Sequence, residues 1–193
     1  MPKNEVDPPA GTTRVTCHRC ERSSIESLSG LVICRNCGEQ VRPRFLNAKR
    51  FVLDSNAYDH LVTSPARQIA FIHACLHGQI ELLVTHIQHD ELSKIPDEER
   101  RNAIAAIPFV ITPTAGLIIG TSKVGLARFG DLDRIESIRS EFGNHTNDAL
   151  IAVTAYDNSA VLVTEERRLT NRSRAQDIEV WDANQLIKFV EKL

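Results

Sequence analysis

From residue 51 onward the chain alternates between two kinds of hydrophobic pattern. Short solid apolar runs, Phe51-Val52-Leu53, Ile80 to Val84 and Ala160-Val161-Leu162-Val163-Thr164, predict buried strands. Between them lie stretches of helical spacing: Ala57 to Leu61, Ala66 to Leu76, His86 to Leu92, Asp133 to Phe142, Asn147 to Ala155 and Ala183 to Lys192. Ile69, Phe71, Ile72, Ala74, Cys75 and Leu76 form the apolar face of the second of these, and Ile135, Ile138 and Phe142 that of the fourth. Pro108 to Pro113 and Leu117-Ile118-Ile119 are strand-like, with Gly116 and Gly120 as punctuation, and Ile178 to Trp181 reads as a short strand. Strands alternating with helices predict a three-layer α/β fold around a mostly parallel sheet. There are no internal repeats and no low-complexity segments.

Acids stand at the passages from strand to helix. The run Phe51-Val52-Leu53 stops abruptly at Asp54-Ser55-Asn56, which places Asp54 at the carboxyl end of a strand, where ligands of open α/β sheets bind. Helix capping by Asp54 or Ser55 is the alternative explanation of the same residues. Glu91 lies on the helix after the strand Ile80 to Val84, Asp148 opens the helix from Asn147, and Glu166 follows the strand ending at Thr164. In a doubly wound sheet such passages share one edge, so the four carboxylates can converge.

Charge and cysteine content divide the chain. With 42% hydrophobic and 25% charged residues the composition is that of an ordinary soluble protein. No apolar run reaches the length of about 18 residues that a membrane span needs, and Met1 to Pro9 lacks the apolar stretch of a signal peptide. A cytoplasmic protein without membrane association is expected. Residues 11 to 50 carry eight Lys/Arg against three Glu, whereas 51 to 193 carry fourteen against twenty Asp/Glu. A basic module joined to an acidic one suits a nucleic-acid grip beside a metal site, and uneven surface charge is the plainer alternative.

The basic part holds Cys17-His18-Arg19-Cys20 and Cys34-Arg35-Asn36-Cys37, two C-x2-C pairs thirteen residues apart. Cys17, Cys20, Cys34 and Cys37 can supply the tetrahedral thiolate set that Zn²⁺ prefers, giving a closed structural site that resembles a zinc ribbon or paired knuckles. A short hairpin through Ile25, Leu28, Gly30, Leu31, Val32 and Ile33 is expected to connect the two loops. Two disulfides are the alternative, disfavoured by a reducing compartment, and a redox C-x2-C lacks its strand-to-helix setting. The organisation expected is a disordered N-terminus over 1 to 10, a zinc-ribbon module over 11 to 41, a linker over 42 to 50 containing Arg42-Pro43-Arg44, and a larger domain over 51 to 193. Arg19, Arg22, Arg35, Arg42 and Arg44 are the candidate nucleic-acid contacts of the basic part.

Leu53-Asp54-Ser55-Asn56, the helix with Glu91, Asn147 to Ala152 and Val163 to Leu169 follow, in order and spacing, the four acidic motifs of PIN-domain nucleases. From Phe51 to its end the chain therefore resembles that family, including its toxin-like members. The resemblance implies a PIN-like fold and endoribonuclease activity on single-stranded or structured RNA. One departure stands out: Glu166 occupies a position where the family has Asp, and its extra methylene suits contact through a water.

Four converging carboxylates repel one another, so at least one is expected to hold a proton near neutrality unless a divalent cation resolves the conflict. Oxygen-only ligands select Mg²⁺ or Mn²⁺, and two such ions about 4 Å apart can activate a water for attack on a phosphodiester. Asp54 and Asp148 are the expected principal ligands, Glu91 the third and Glu166 the weakest. Asn56 and Asn147 are expected to orient carboxylates or a bound water, and Thr164 either does the same or caps its strand end. Expected partners are RNA, an antitoxin or other protein, and a second copy of the chain. Rival readings are a PIN-like nucleic-acid-binding scaffold that has lost catalysis, and the toxin of a toxin–antitoxin pair.

Several other polar residues read as structural. Cys75 is expected to be a packed core thiol, and His73 with His77 a helix surface. His86 and His89 read as surface or substrate-facing, with Glu91 pointing elsewhere. Pro96 to Arg100 looks like a helix start with first-turn acids, and Ser122 to Gly130, with Lys123 and Arg128, like a mobile flap near the site.

Overall fold

The structure, a computed structural model, describes residues 48–116, 126–128, 132–139 and 146–193, and the backbone of four short strands nearer the N-terminus. The chain divides into two compact units, Met1–Ala48 and Lys49–Leu193.

In the first unit β1 (Thr12–Thr16) pairs antiparallel with β2 (Ser23–Ser27), and β3 (Val32–Ile33) with β4 (Gln40–Val41). A hairpin linking the two cysteine loops was the expectation; instead β2 turns back on β1 and β3 on β4. In sequence, each C-x2-C pair thus falls between the two strands of one ladder. The residues at 1 to 10, the four cysteines and Arg19, Arg22, Arg35, Arg42 and Arg44 lie outside the described residues.

The second unit runs β5 (Lys49–Leu53), α1 (Ala57–Val62), α2 (Pro65–Leu76), β6 (Ile80–Thr85), α3 (His86–Ser93), α4 (Glu98–Ala105), β7 (Val110–Thr112), β8 (Thr114–Ala115), β9 (Ala127–Arg128), α5 (Leu132–Ile138), α6 (Thr146–Asp157), β10 (Val161–Val163), α7 (Arg167–Arg174), β11 (Val180–Trp181) and α8 (Ala183–Val190). Five strands form one sheet in the order β11-β10-β5-β6-β7, every neighbouring pair parallel. The expected α/β architecture of three layers is therefore observed.

Side-chain alternation builds the layers. Phe51, Leu53, Leu82, Val84, Val161 and Val163 face one core, closed by Leu61, Phe71, Ile104 and Leu186 from helices α1, α2, α4 and α8. Val52, Leu83 and Leu162 point the other way, into a core with Ile135, Ile138 and the buried length of α6 from Ala149 to Ala155. A sheet covered on both faces needs strands apolar at every position, which explains the solid runs at Phe51 and Ile80. Gly116 is required where β8 passes α6: its φ is +132° and a Cβ there would collide with Ile135 and Leu150.

Some expectations change. Lys49 and Arg50, read as the end of a linker, are the first residues of β5 and pair with Ile80 and Glu81. The described part of the expected flap is β9, which pairs in parallel with β8 rather than hanging free. The strand expected at 117 to 119, and Phe142, lie outside the described residues. The acids after Pro96 act as foreseen: Asp97 caps α4 by accepting from the Arg100 N–H, with Glu98 and Glu99 in the first turn. Burial pushes the Cys75 thiol up to about 12, as suits a packed thiol. Among the described residues no helix is long and apolar enough to cross a membrane.

Candidate carboxylate site

The strand order reverses beside β5: the chain moves from β5 to β6 and β7 on one side, and returns to β10 and β11 on the other. A crevice at the carboxyl ends of two strands that diverge in this way is where α/β sheets bind ligands. Asp54 follows β5 and Glu166 follows β10 at that point. The Asp54 N–H still donates to Val163 O at 2.8 Å, so the residue is held in line with the sheet while its side chain leaves it.

Asp54 is only 8% exposed, and among the described residues no cation compensates it. Its Oδ1 accepts from the Ser55 N–H at 2.7 Å and its Oδ2 from Thr164 Oγ1 at 3.0 Å. Neither its carboxylate nor any other described side chain caps α1, so the capping explanation of Asp54 gives way. Burial raises the Asp54 pKa above the ordinary carboxylate value; the bonds from Thr164 and Ser55 oppose that rise, and the charges of Asp148 and Glu166 add to it. Glu166 is tied to Asp54 through Thr164, whose hydroxyl bonds both, and Asp148 follows Asn147, whose amide reaches Glu91.

Glu91 joins the cluster through two polar neighbours. Ser55 Oγ donates to its Oε2 at 2.7 Å and Asn147 Nδ2 to its Oε1 at 3.1 Å. Helix α3 is placed by a capping box: Thr85 Oγ1 accepts from the Gln88 N–H at 3.3 Å, while Gln88 Oε1 accepts from the Thr85 N–H at 2.9 Å. Gln88 Nε2 also donates to Leu53 O, tying the helix that carries Glu91 to the strand that carries Asp54. The Thr164 hydroxyl joins two of the acids, donating to Asp54 and accepting from the Glu166 N–H at 3.0 Å.

The four predicted acids are thus gathered at one edge, with Asn147 and Thr164 among them. Asn56 is not: it is exposed at the start of α1 and makes no bond to a described carboxylate. His86, read as surface or substrate-facing, is buried at 4% exposure as the first residue of α3, while His89 is exposed with its ring edge-on to Phe109. Residue-by-residue reading missed Ser55 and Gln88 as positioning groups. Gln88 was detectable, since Thr85-His86-Ile87-Gln88 is a capping-box signature; Ser55 carries no comparable signal.

An all-oxygen set around a desolvated carboxylate suits a hard divalent cation in chemistry. In spacing it is open: among the described residues no three Asp, Glu, His or Cys side chains are close enough to hold an ion. The carboxylates would have to draw together to share one.

No family model matches the chain, and no curated protein matches it. Among solved structures it is similar to PAE2754 from Pyrobaculum aerophilum, at 18% identity over 77% of this chain and 98% of that one, with a TM-score of 0.49. A domain of a functionally unknown protein from Methanocaldococcus jannaschii shares 17% identity over 70% of this chain and 91% of that one, with a TM-score of 0.41. FitAcB from Neisseria gonorrhoeae shares 16% over 69% and 97%, with a TM-score of 0.38.

Proposed function

We propose that the unit Lys49–Leu193 is a metal-dependent endoribonuclease of the PIN type, and that the N-terminal module is a zinc ribbon, built on Cys17, Cys20, Cys34 and Cys37, that assists RNA binding. One observation carries the first part: a buried carboxylate at the carboxyl end of the central strand, uncompensated by any described cation and in the field of two more acids. A fold tolerates such a conflict where function needs it. The choice of RNA over DNA comes from the PIN resemblance alone.

In this reading Asp54 and Asp148 hold Mg²⁺ or Mn²⁺ with Glu91, and Glu166 contributes more weakly. The bound cation would neutralise the carboxylates and activate a water for in-line attack on a phosphodiester. The chain's own part is positioning. The Ser55 N–H and the Thr164 hydroxyl fix the two oxygens of Asp54 separately, and Ser55 Oγ and Asn147 fix those of Glu91. Thr164 relays the position of Glu166 to Asp54 through one hydroxyl.

The open spacing of the acids favours a second reading, a scaffold that binds nucleic acid without cutting it. Incubation of the purified chain with labelled single-stranded RNA, duplex RNA and DNA, with Mn²⁺ or EDTA, decides between them. The nuclease reading expects Mn²⁺-dependent RNA cleavage that Asp54→Asn abolishes. Equal cleavage by wild type and variant, or none by either, sinks it. Deleting residues 1 to 45 should raise the RNA concentration for half-maximal cleavage yet leave slow cleavage intact; unchanged affinity would remove the ribbon from RNA binding.

A further inference from the structure

The fold accounts for most arginines of the larger unit. Arg50 is bound to Glu81, Arg100 to Asp59 and Arg139 to Glu136. On helix α7, Arg172 Nη1 donates to Ile138 O and Arg174 Nη2 to Val180 O, both at 3.2 Å. The first two residues of the same helix, Arg167 and Arg168, are exposed, and their side chains make no hydrogen bond or ion pair with any described residue. Even the neighbouring Glu165 is engaged elsewhere, its Oε1 accepting from the Ala183 N–H at 2.7 Å.

Their place makes this pairing pattern informative. They follow Glu166 directly, and the Glu166 N–H donates to Thr164 Oγ1, whose hydroxyl donates in turn to Asp54 Oδ2. Cations in the first turn of a helix oppose the macrodipole, so two unpaired arginines there weaken α7 rather than support it. A phosphodiester approaching the site also meets a unit carrying fourteen Lys/Arg against twenty Asp/Glu over residues 51 to 193. Favourable charge beside the scissile group must then come from cations that the fold has not consumed.

We propose that Arg167 and Arg168 hold the phosphate backbone of a single-stranded nucleic acid at the rim of the carboxylate cluster. The inference rests on the nuclease reading above and adds residues to it. Guanidinium groups suit phosphate because their planar N–H forks match its oxygens, and their charge is permanent.

The test measures binding and not cleavage. The full chain carrying Asp54→Asn is titrated with a short fluorescein-labelled oligouridylate, and with the matching DNA strand, by anisotropy across a range of salt. Adding Arg167→Gln and Arg168→Gln together should weaken binding about tenfold at low salt and flatten the logarithmic salt slope by about 0.7 for each phosphate no longer neutralised. Lysine at both positions should keep the slope. The control is Arg67→Gln: Arg67 is an exposed arginine on α2 that lines a groove with Val190 and Glu191 at the far end of α8, and its loss should change neither quantity. If the glutamine pair binds with the affinity and slope of its parent, or no more weakly than the Arg67 control, the assignment is wrong while the nuclease reading survives. If the parent itself binds neither strand, both fall together.

Discussion

Strand β5 has a buried acid near each end, and the two are treated in opposite ways. Beside its first residues, Glu81 is 9% exposed and accepts from Arg50 Nε at 2.9 Å, while Arg50 Nη1 reaches Asn158 O at 3.1 Å. At the other end Asp54 is 8% exposed, with two hydrogen-bond donors and two further acids around it but no described cation. Burial is the same and compensation is not. A buried charge with its counter-ion inside the fold is explained by the fold; one without it calls for something the fold does not contain.

The largest expected effect is on the uncompensated end. Asp54→Asn should lower Mn²⁺-dependent RNA cleavage about a thousandfold, the upper range for losing one electrostatic group from a reacting centre. It should also raise the thermal midpoint at pH 7. Because folding raises the Asp54 pKa, folding favours its protonated form; that contribution is present below the unfolded value and is lost as pH rises through the folded one. Asparagine imitates the protonated form, so its advantage should shrink as the pH falls towards the ordinary carboxylate range. A variant less stable than wild type at pH 7 would break the comparison.

At the compensated end the sign should reverse. Arg50→Ala leaves Glu81 buried without its partner and should cost on the order of 3 kcal/mol in denaturant unfolding. RNA cleavage by the folded fraction should be unchanged, which separates a structural charge from a functional one. Among the remaining acids, Glu166→Gln should lose about tenfold in activity at saturating Mn²⁺, and Asp148→Asn distinctly more. Equal losses would put Glu166 on the same footing as Asp148. The smallest effect is expected from Thr85→Ala, which removes half of the capping box and should cost about 1 kcal/mol, with little change in cleavage while Gln88 still reaches Leu53 O.

Legibility followed the range of the interactions concerned. The strands at Phe51 and Ile80 could be read because burial on both faces demands apolar residues in succession, and Asp54 because that succession breaks there. Glu91 could be assigned to a helix, but its partners Ser55 and Asn147 stand 36 and 56 residues away in sequence. His86 was misread for a related reason. Its exposure depends on what packs over the start of α3, and neither its own type nor its spacing reports that.

Order along the chain was thus enough to determine a parallel α/β sheet, Asp54 and Glu166 just beyond strand ends and two cysteine pairs of metal-binding spacing, because each is a pattern of near neighbours. Only the tertiary structure decided which buried acid found a cation, that Ser55 and Asn147 grip Glu91, and that Arg167 and Arg168 stay unpaired among the described residues while Arg172 and Arg174 are bound. Those outcomes depend on the strand order β11-β10-β5-β6-β7, which brings distant residues together at one edge. Local sequence sets what each side chain can do, and the crossover between strands sets what it meets.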